Sequence, residues 1–152
     1  MAAEHYNIIL LRGKFIDLTV DIETIMDDVL ANHFCSPKIQ NDFKQYILDE
    51  TMFNRKIELF KKILKANYPA LYKKYESHID FKKLKDVRNR FAHNKISYHT
   101  KKNGTKDLTK LMFGDPSIGI NVLEIKDFEN KFEFFKEQLK VLTKILSKII
   151  DR

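Results

Sequence analysis

Two long stretches of the chain repeat apolar residues every three or four positions. The repeating residues of the first stretch, which runs from residue 6 to 34, are Leu11, Phe15, Leu18, Ile22, Ile25 and Val29. Those of the second stretch are Phe128, Phe132, Phe135, Leu139, Leu142, Leu146 and Ile149. This spacing gathers the apolar side chains on one face of a helix. It predicts two long helices that pack along their lengths, the second of them capped by Asp127.

Shorter apolar patterns fill the region between these two stretches. One predicts a helix around residues 39 to 48, with Phe43 and Ile47 as its buried pair. Another predicts a helix from about residue 51 to 66, with Lys56 among the basic residues that face outward. Together with the long helices and a third short helix, described below, these patterns predict an all-α bundle in which two long helices enclose three shorter ones.

A change of periodicity follows the shorter helices. Residues 96 to 100 alternate in polarity, Asn103 and Gly104 are a strong two-residue turn signal, and residues 108 to 113 suit a returning strand. From 118 to 125 the pattern indicates extended or irregular chain. We therefore expect a small β-hairpin inserted before the last helix of the bundle.

The composition is that of one globular domain spanning the 152 residues, of which 43% are hydrophobic. Cys35 is the only cysteine, so no intrachain disulfide forms and no Cys pair is present for a zinc site. No apolar run approaches the roughly 18 residues of a membrane span, and the N-terminus lacks a basic region followed by an apolar core. We expect a cytoplasmic protein with no membrane association, no metal and no cofactor.

The net charge of +7 is concentrated in one segment. Residues 81 to 111 hold ten Lys or Arg against two Asp, a net charge of +8, whereas the rest of the chain holds 18 basic and 19 acidic residues. Such a concentration is typical of a surface that binds a phosphate backbone, although a solvated face or a dock for an acidic protein has the same composition. The candidate RNA-binding residues are Lys82, Lys85, Arg90, Lys95, Lys101 and Lys102.

The most basic segment also contains the candidate chemistry. Leu84, Val87 and Phe91 are spaced as the apolar stripe of a helix, and Asp80 suits its N-cap. The other faces of this helix display Arg88, Asn89, Arg90 and His93.

The angles between these positions limit which side chains can meet. Asn89 and His93 are neighbours about 40° apart around a helix, and Asp86 and Arg90 are spaced to pair in the same way. Arg88 and His93 are about 140° apart on a straight helix. A joint site therefore needs either a helix that ends near His93 or a second copy of the chain.

The run Arg88-Asn89-Arg90-Phe91-Ala92-His93 resembles the signature of HEPN domains, in which an Arg followed by a polar residue precedes a His by four to six positions. HEPN domains are helical modules common among RNA-cleaving toxins and defence proteins. The resemblance implies a homodimer that brings both copies of Arg88 and His93 into one cleft. It further implies metal-independent cleavage leaving a 2′,3′-cyclic phosphate. An antitoxin or regulatory protein is a further candidate partner, although Lys95 stands where one version of the signature has Tyr, which argues against a nucleotidyltransferase antitoxin.

The residue types in this run suit RNA cleavage. An imidazole accepts or donates a proton near neutral pH, which makes His93 the candidate base for a 2′-hydroxyl. A guanidinium presents paired donors to phosphate oxygens, which makes Arg88 the candidate for stabilising the charge that develops there. Asn89 is placed either to orient His93 or to bond a phosphate oxygen.

A non-catalytic HEPN-like module that binds RNA or a protein partner is the alternative interpretation. In that case Arg88 and His93 serve a dimer interface, or His93 offsets the dipole at a helix end. The acids of the first long helix are either solvated or hold Arg88 in place; they are Asp17, Asp21, Asp27 and Asp28.

Overall fold

Helices make up most of the chain, and the strands lie together before the last helix. The computed structural model describes residues 2–93, 95–115 and 119–150. The helices are α1 (Ala2–Phe34), α2 (Gln40–Phe43), α3 (Phe53–Asn67), α4 (Pro69–Tyr75), α5 (Phe81–His93) and α6 (Ile125–Ile150). The strands are β1 (Lys95–Thr100), β2 (Lys106–Asp115) and β3 (Gly119–Glu124). The predicted all-α fold with a β insertion before the last helix is confirmed.

The two long helices, α1 and α6, pack against each other as their apolar repeats predict. Phe15 and Ile22 of α1 and Phe135 and Leu142 of α6 are each 0% exposed. Phe91 joins α5 to this core, because its ring stacks on Phe15 at a centroid distance of 4.2 Å. Aromatic pairs at such distances have preferred geometries beyond simple burial, so this contact fixes how α5 lies on the long helices.

The short helical region before α3 differs from its prediction. A 3-10 turn (Pro37–Ile39), α2 and a π-helical turn (Lys44–Leu48) follow one another there. Ile47, predicted as buried, is 52% exposed, while Leu48 is buried at 2%. A π turn adds a residue to the helical repeat, so it moves the buried position one residue further along the chain.

Lys56 of α3 is buried at 2% exposure, so the prediction that it faces outward was wrong. Its ammonium binds Glu23 Oε1 at 2.9 Å and Asp27 Oδ2 at 2.7 Å. Burial opposes the charge, but the hydrogen bonds to Asp27 and Glu23 outweigh burial and raise the pKa of Lys56. Lys56 lies three residues after Phe53, within the apolar stripe of α3, and this places it against α1.

The β insertion contains one more strand than the predicted hairpin. Among the described residues, β1, β2 and β3 form one antiparallel sheet in that order. Gly104 adopts a φ of 81° in the turn between β1 and β2, a conformation that favours glycine. Tyr98 and Leu111 are paired across these strands and buried in the core. The predicted extended segment 118–125 corresponds to β3, except for residue 118, which lies outside the described residues, and Ile125.

Helix α6 begins at Ile125, directly after β3, so Asp127 lies in its first turn rather than at its N-cap. The N-cap prediction for Asp127 was therefore wrong by three residues, since the N-cap position is residue 124. The strand passes into the helix without a loop, which leaves no room for a separate capping residue. An acid in the first turn still interacts favourably with the helix dipole.

Candidate active site

The start of α5 is fixed by a side-chain cap and by a buried amide. The Lys83 backbone N–H donates to Asp80 Oδ1 at 2.9 Å, which confirms the predicted N-cap. Gln138 of α6, which is 5% exposed, accepts from the Asp80 N–H at 3.0 Å and donates to the His78 carbonyl at 3.0 Å. These bonds hold the entry to α5 against the last helix.

The end of α5 is held by Arg12, which was not among the residues selected from the sequence. Arg12 of α1 donates through Nη2 to the Ala92 carbonyl at 2.6 Å, across 80 positions of the chain. A cation at this carbonyl satisfies one of the acceptors left open at a helix C-terminus and interacts favourably with the dipole. The helix ends at the next residue, His93. No local pattern around Arg12 indicates this contact.

Arg88 and His93 meet within one chain. Arg88 Nη1 lies 3.3 Å from His93 Nε2 and donates to Asn89 Oδ1, also at 3.3 Å. His93 is the last residue of α5, and its imidazole meets the Arg88 guanidinium although the two positions are more than one helical turn apart. Arginine can only donate, so a hydrogen bond here requires a neutral imidazole with its proton on Nδ1. This state leaves the Nε2 lone pair directed at the guanidinium.

The Arg88 side chain packs over an aromatic ring, and a single nitrogen of its guanidinium makes hydrogen bonds within the described residues. Its Cζ lies 5.5 Å from the centroid of the Phe53 ring, a cation–π distance that orients the guanidinium plane. Both of its hydrogen bonds use Nη1, which leaves the edge formed by Nε and Nη2 without a hydrogen-bond partner among the described residues. That edge has the geometry for two parallel bonds to a phosphate or carboxylate.

Of the two alternatives for the acids of α1, the one in which an acid holds Arg88 does not occur among the described residues. Asp27 binds Lys56 and Asp28 binds Lys44, and no ion pair joins Arg88 to an acid in the ranges that the structure describes. The other α1 acids of the prediction, Asp17 and Asp21, are exposed. The hydrogen-bond partners of Arg88 among the described residues are Asn89 and His93, and no carboxylate pairs with its charge there.

A small cavity of about 140 Å³ lies beside Arg88, between α1 and α5. Its lining residues are Phe15, Ile16, Thr19, Val20, Glu23, Arg88, Phe91 and Ala92. Arg88 is the one cation among these lining residues, and the one acid among them, Glu23, is paired with Lys56. A volume of this size holds part of a ligand rather than a whole nucleotide.

The predicted RNA-binding residues are distributed over separate surfaces. Asn89 and His93 are exposed at the end of α5, as is Lys82 near its start, and Lys85 is half-buried. Lys101 and Lys102 are exposed in the turn between β1 and β2. The side chain of Lys95 lies outside the described residues.

Arg90 lies on a different side of α5 from Arg88, although it is only about 60° around the helix from His93. Two positions along a helix correspond to about 200°, and the charge of Arg90 acts on Lys131 of α6. The predicted ion pair between Asp86 and Arg90 does not form among the described residues. Lys131 was not selected from the sequence, because its contribution depends on how α6 packs on α5.

No protein-family model matches the chain, and no match is found among curated proteins or solved structures. The HEPN resemblance therefore rests on the residues of α5 alone. Within the described ranges, no helix has the length and apolar character needed to cross a membrane. In the same ranges, His, Cys, Asp and Glu form no group of three or more that could hold a metal ion.

Proposed function

We propose that this chain is a metal-independent endoribonuclease of the cytoplasm, acting as a toxin or defence effector. The observation that carries the proposal is the 3.3 Å approach of Arg88 Nη1 to His93 Nε2 at an exposed, basic helix end. The proton acceptor His93 Nε2 therefore lies next to the unpaired N–H donors of Arg88, which have the geometry to bind a phosphate. This arrangement agrees with the roles that the HEPN resemblance implies.

The reaction is an internal transfer at phosphorus. His93 Nε2 removes the proton of a ribose 2′-hydroxyl, and the O2′ oxygen forms a bond to the adjacent phosphorus. The bond from phosphorus to O5′ of the next nucleotide breaks, and O5′ leaves with a proton from water. The products are a 2′,3′-cyclic phosphate and a 5′-hydroxyl, so the attacking nucleophile comes from the substrate itself.

Arg88 binds the phosphate and, in doing so, releases the general base His93. Asn89 holds the guanidinium of Arg88 in position. Negative charge grows on the nonbridging oxygens during attack, and the Nε and Nη2 edge of Arg88 is placed to donate hydrogen bonds to these oxygens. When the phosphate arrives, its oxygens compete for Arg88 and release His93 Nε2 for the proton. Asn89 Oδ1 holds the opposite end of the guanidinium, 3.3 Å from Nη1, and keeps the edge facing outward.

The proposal includes a homodimer formed through α1. Ile9, Ile16 and Val20 are 57%, 39% and 53% exposed and lie on one stripe with Gly13, whose Cβ position has no atom within 4 Å. In an antiparallel pair of α1 helices with the two-fold axis midway along this stripe, Ile9 meets Val20 and Ile16 fills the space at Gly13. Ile16 and Val20 also line the cavity beside Arg88, so this pairing brings the second copy to the candidate active site.

A defined substrate tests the chemistry. A labelled single-stranded RNA is incubated with the protein in chelator-treated buffer, beside DNA of the same sequence as a control without 2′-hydroxyls. We expect RNA fragments ending in 2′,3′-cyclic phosphate and no cleavage of the DNA. Intact RNA that is nevertheless bound by the protein would contradict the enzyme proposal and favour a binding module.

A further inference from the structure

A second group of cations lies on the side of α5 that faces α6. Lys83 and Arg90 are seven positions apart, so they share one stripe of α5 and are separated by about 10 Å along its axis. Arg90 is about 200° around the helix from Arg88, which places this stripe away from the guanidinium of the candidate active site. Lys131 of α6 lies close enough to both for their charges to act on it. We call Lys83, Lys131 and Arg90 the α5/α6 cation row.

The Lys83 ammonium is positioned by an aromatic ring rather than by an acid. Its Nζ lies 4.2 Å from the centroid of Phe134, one helical turn beyond Lys131 on α6. Phe134 is held in turn by an edge contact with Phe135 of the core at 5.7 Å. A cation over a fixed ring keeps its remaining N–H donors directed away from the ring. The ring thus presents Lys83 at the groove between the two helices.

Lys131 lacks a neutralising partner of its own. Burial lowers the pKa of Lys131, and the positive charges of Arg90 and Lys83 lower it further against a weaker opposing effect of Asp127. No ion pair joins any residue of the α5/α6 cation row to an acid in the described parts of the chain. Asp86 lies one turn from both Lys83 and Arg90 on α5 without pairing to either, and Glu133 is paired with Lys136.

Three unpaired cations on two packed helices repel one another, and an anion between them removes that repulsion. A row about 10 Å long, set along a helix, matches several phosphates of a strand better than one small ion. The row also begins at Arg90, less than one turn before His93. We propose that the α5/α6 cation row binds backbone phosphates of the RNA strand as it continues beyond the candidate active site, an inference that rests on the proposed function.

Phosphate contacts fix the position of a strand without reading its sequence. The row would therefore increase affinity for every RNA and set how the strand is directed past Arg88 and His93. It takes no part in the proposed chemistry, which uses the Nε and Nη2 edge of Arg88 and the Nε2 atom of His93. Its removal is expected to weaken binding while the cleavage of bound RNA continues.

The test replaces the row without altering the candidate active site. The triple variant Lys83→Gln, Arg90→Gln and Lys131→Gln is titrated with an uncleavable 2′-O-methyl RNA over a range of salt concentrations. The matched control carries Lys62→Gln, Lys73→Gln and Lys148→Gln, which removes the same charge from exposed positions elsewhere. We expect the slope of log affinity against log salt to fall by about 2 in the row variant, since each single-strand phosphate contact contributes about 0.7. The control is expected to keep the wild-type slope.

Asp86→Asn provides a second variant that keeps the row intact. It removes the one acid on the same stripe, so we expect tighter binding of the same RNA and no change in folding. Equal slopes for the row variant and the control, or unchanged affinity in Asp86→Asn, would overturn the inference. A reduced slope in a protein that cleaves no RNA would support the row and contradict the proposed enzyme. Absence of all RNA binding by the wild type would contradict both.

Discussion

Arg88 Nη1 lies 3.3 Å from His93 Nε2, although the two residues are five positions apart on α5. On a continuous helix they would point about 140° apart. They meet at the C-terminal end of α5, where His93 is the last helical residue and the Arg88 side chain is long enough to span the angle between them. The candidate site therefore depends on where α5 ends, and the bond from Arg12 to the Ala92 carbonyl holds that end in place.

Arg12→Gln tests this dependence. The shorter amide cannot reach the Ala92 carbonyl, so we expect the end of α5 to loosen and RNA cleavage to fall while RNA affinity is retained. The loss of one partly buried, charge-assisted hydrogen bond should also lower the free energy of unfolding by about 1.5–3 kcal/mol. Single-turnover cleavage, RNA titration and chemical denaturation measure the three quantities.

Lys14→Gln serves as the control for Arg12→Gln, since it removes one positive charge from the exposed side of the same helix. If the two variants lost cleavage equally, net charge rather than the position of His93 would explain the effect. Recovery of cleavage in Arg12→Lys, which restores a donor of similar reach, would support the positioning role.

The exposed stripe of α1 predicts a dimer that a single charge disrupts. Val20→Glu places a carboxylate opposite Ile9 of the second copy in the proposed pairing, so we expect the protein to become monomeric. Ile47→Glu is a matched control, because Ile47 is 52% exposed and Val20 is 53% exposed. Light scattering on both variants gives the mass directly. A wild type that is monomeric at all concentrations, or a Val20→Glu variant that remains dimeric, would contradict the interface.

The buried cluster around Lys56 predicts a stability that changes with pH. Lys56→Met leaves Glu23 and Asp27 without their cation, which should cost about 3 kcal/mol of unfolding free energy near pH 7. Burial already raises the pKa of Asp27 above its ordinary value. A raised folded-state pKa favours folding at low pH, and this contribution is lost as pH rises through that pKa. The deficit of the variant should therefore shrink as pH falls toward the ordinary pKa of a carboxyl.

Denaturation of Lys56→Met and of the exposed variant Lys62→Met across this pH range checks that behaviour. We expect Lys62→Met to differ little from the wild type at any pH, as is usual for surface positions. A deficit for Lys56→Met that stayed constant with pH would show that lost packing, rather than the two orphaned carboxylates, causes the destabilisation.

The apolar repeats were sufficient to predict the elements that follow a regular period. Phe15 and Phe135 are buried where the repeats of α1 and α6 put them, and Asp80 caps α5 as its position suggests. The prediction failed where the period changes. The π turn before α3 exposes Ile47 and buries Leu48, and nothing in the amino-acid pattern indicates the extra residue in that turn.

The residues of the candidate site were selected from the sequence, but the contacts that position them were not. Helical geometry places Asn89 beside His93, so that pair can be inferred from the sequence, whereas the approach of Arg88 to His93 cannot, because the two positions are about 140° apart around a helix. Arg12 and Phe53 act on them from α1 and α3, and such contacts depend on packing between distant segments. Lys131 is a similar case, because its link to Arg90 exists only once α6 lies against α5.

The central claim is that His93 removes the proton that starts RNA cleavage. The most direct measurement compares single-turnover cleavage and RNA affinity for the wild type and His93→Ala. We predict that the variant binds RNA as tightly as the wild type but cleaves it at least about 100-fold more slowly, which is the usual contribution of a general base. Cleavage by His93→Ala at the wild-type rate, or a wild type that binds RNA without cutting it, would contradict the claim.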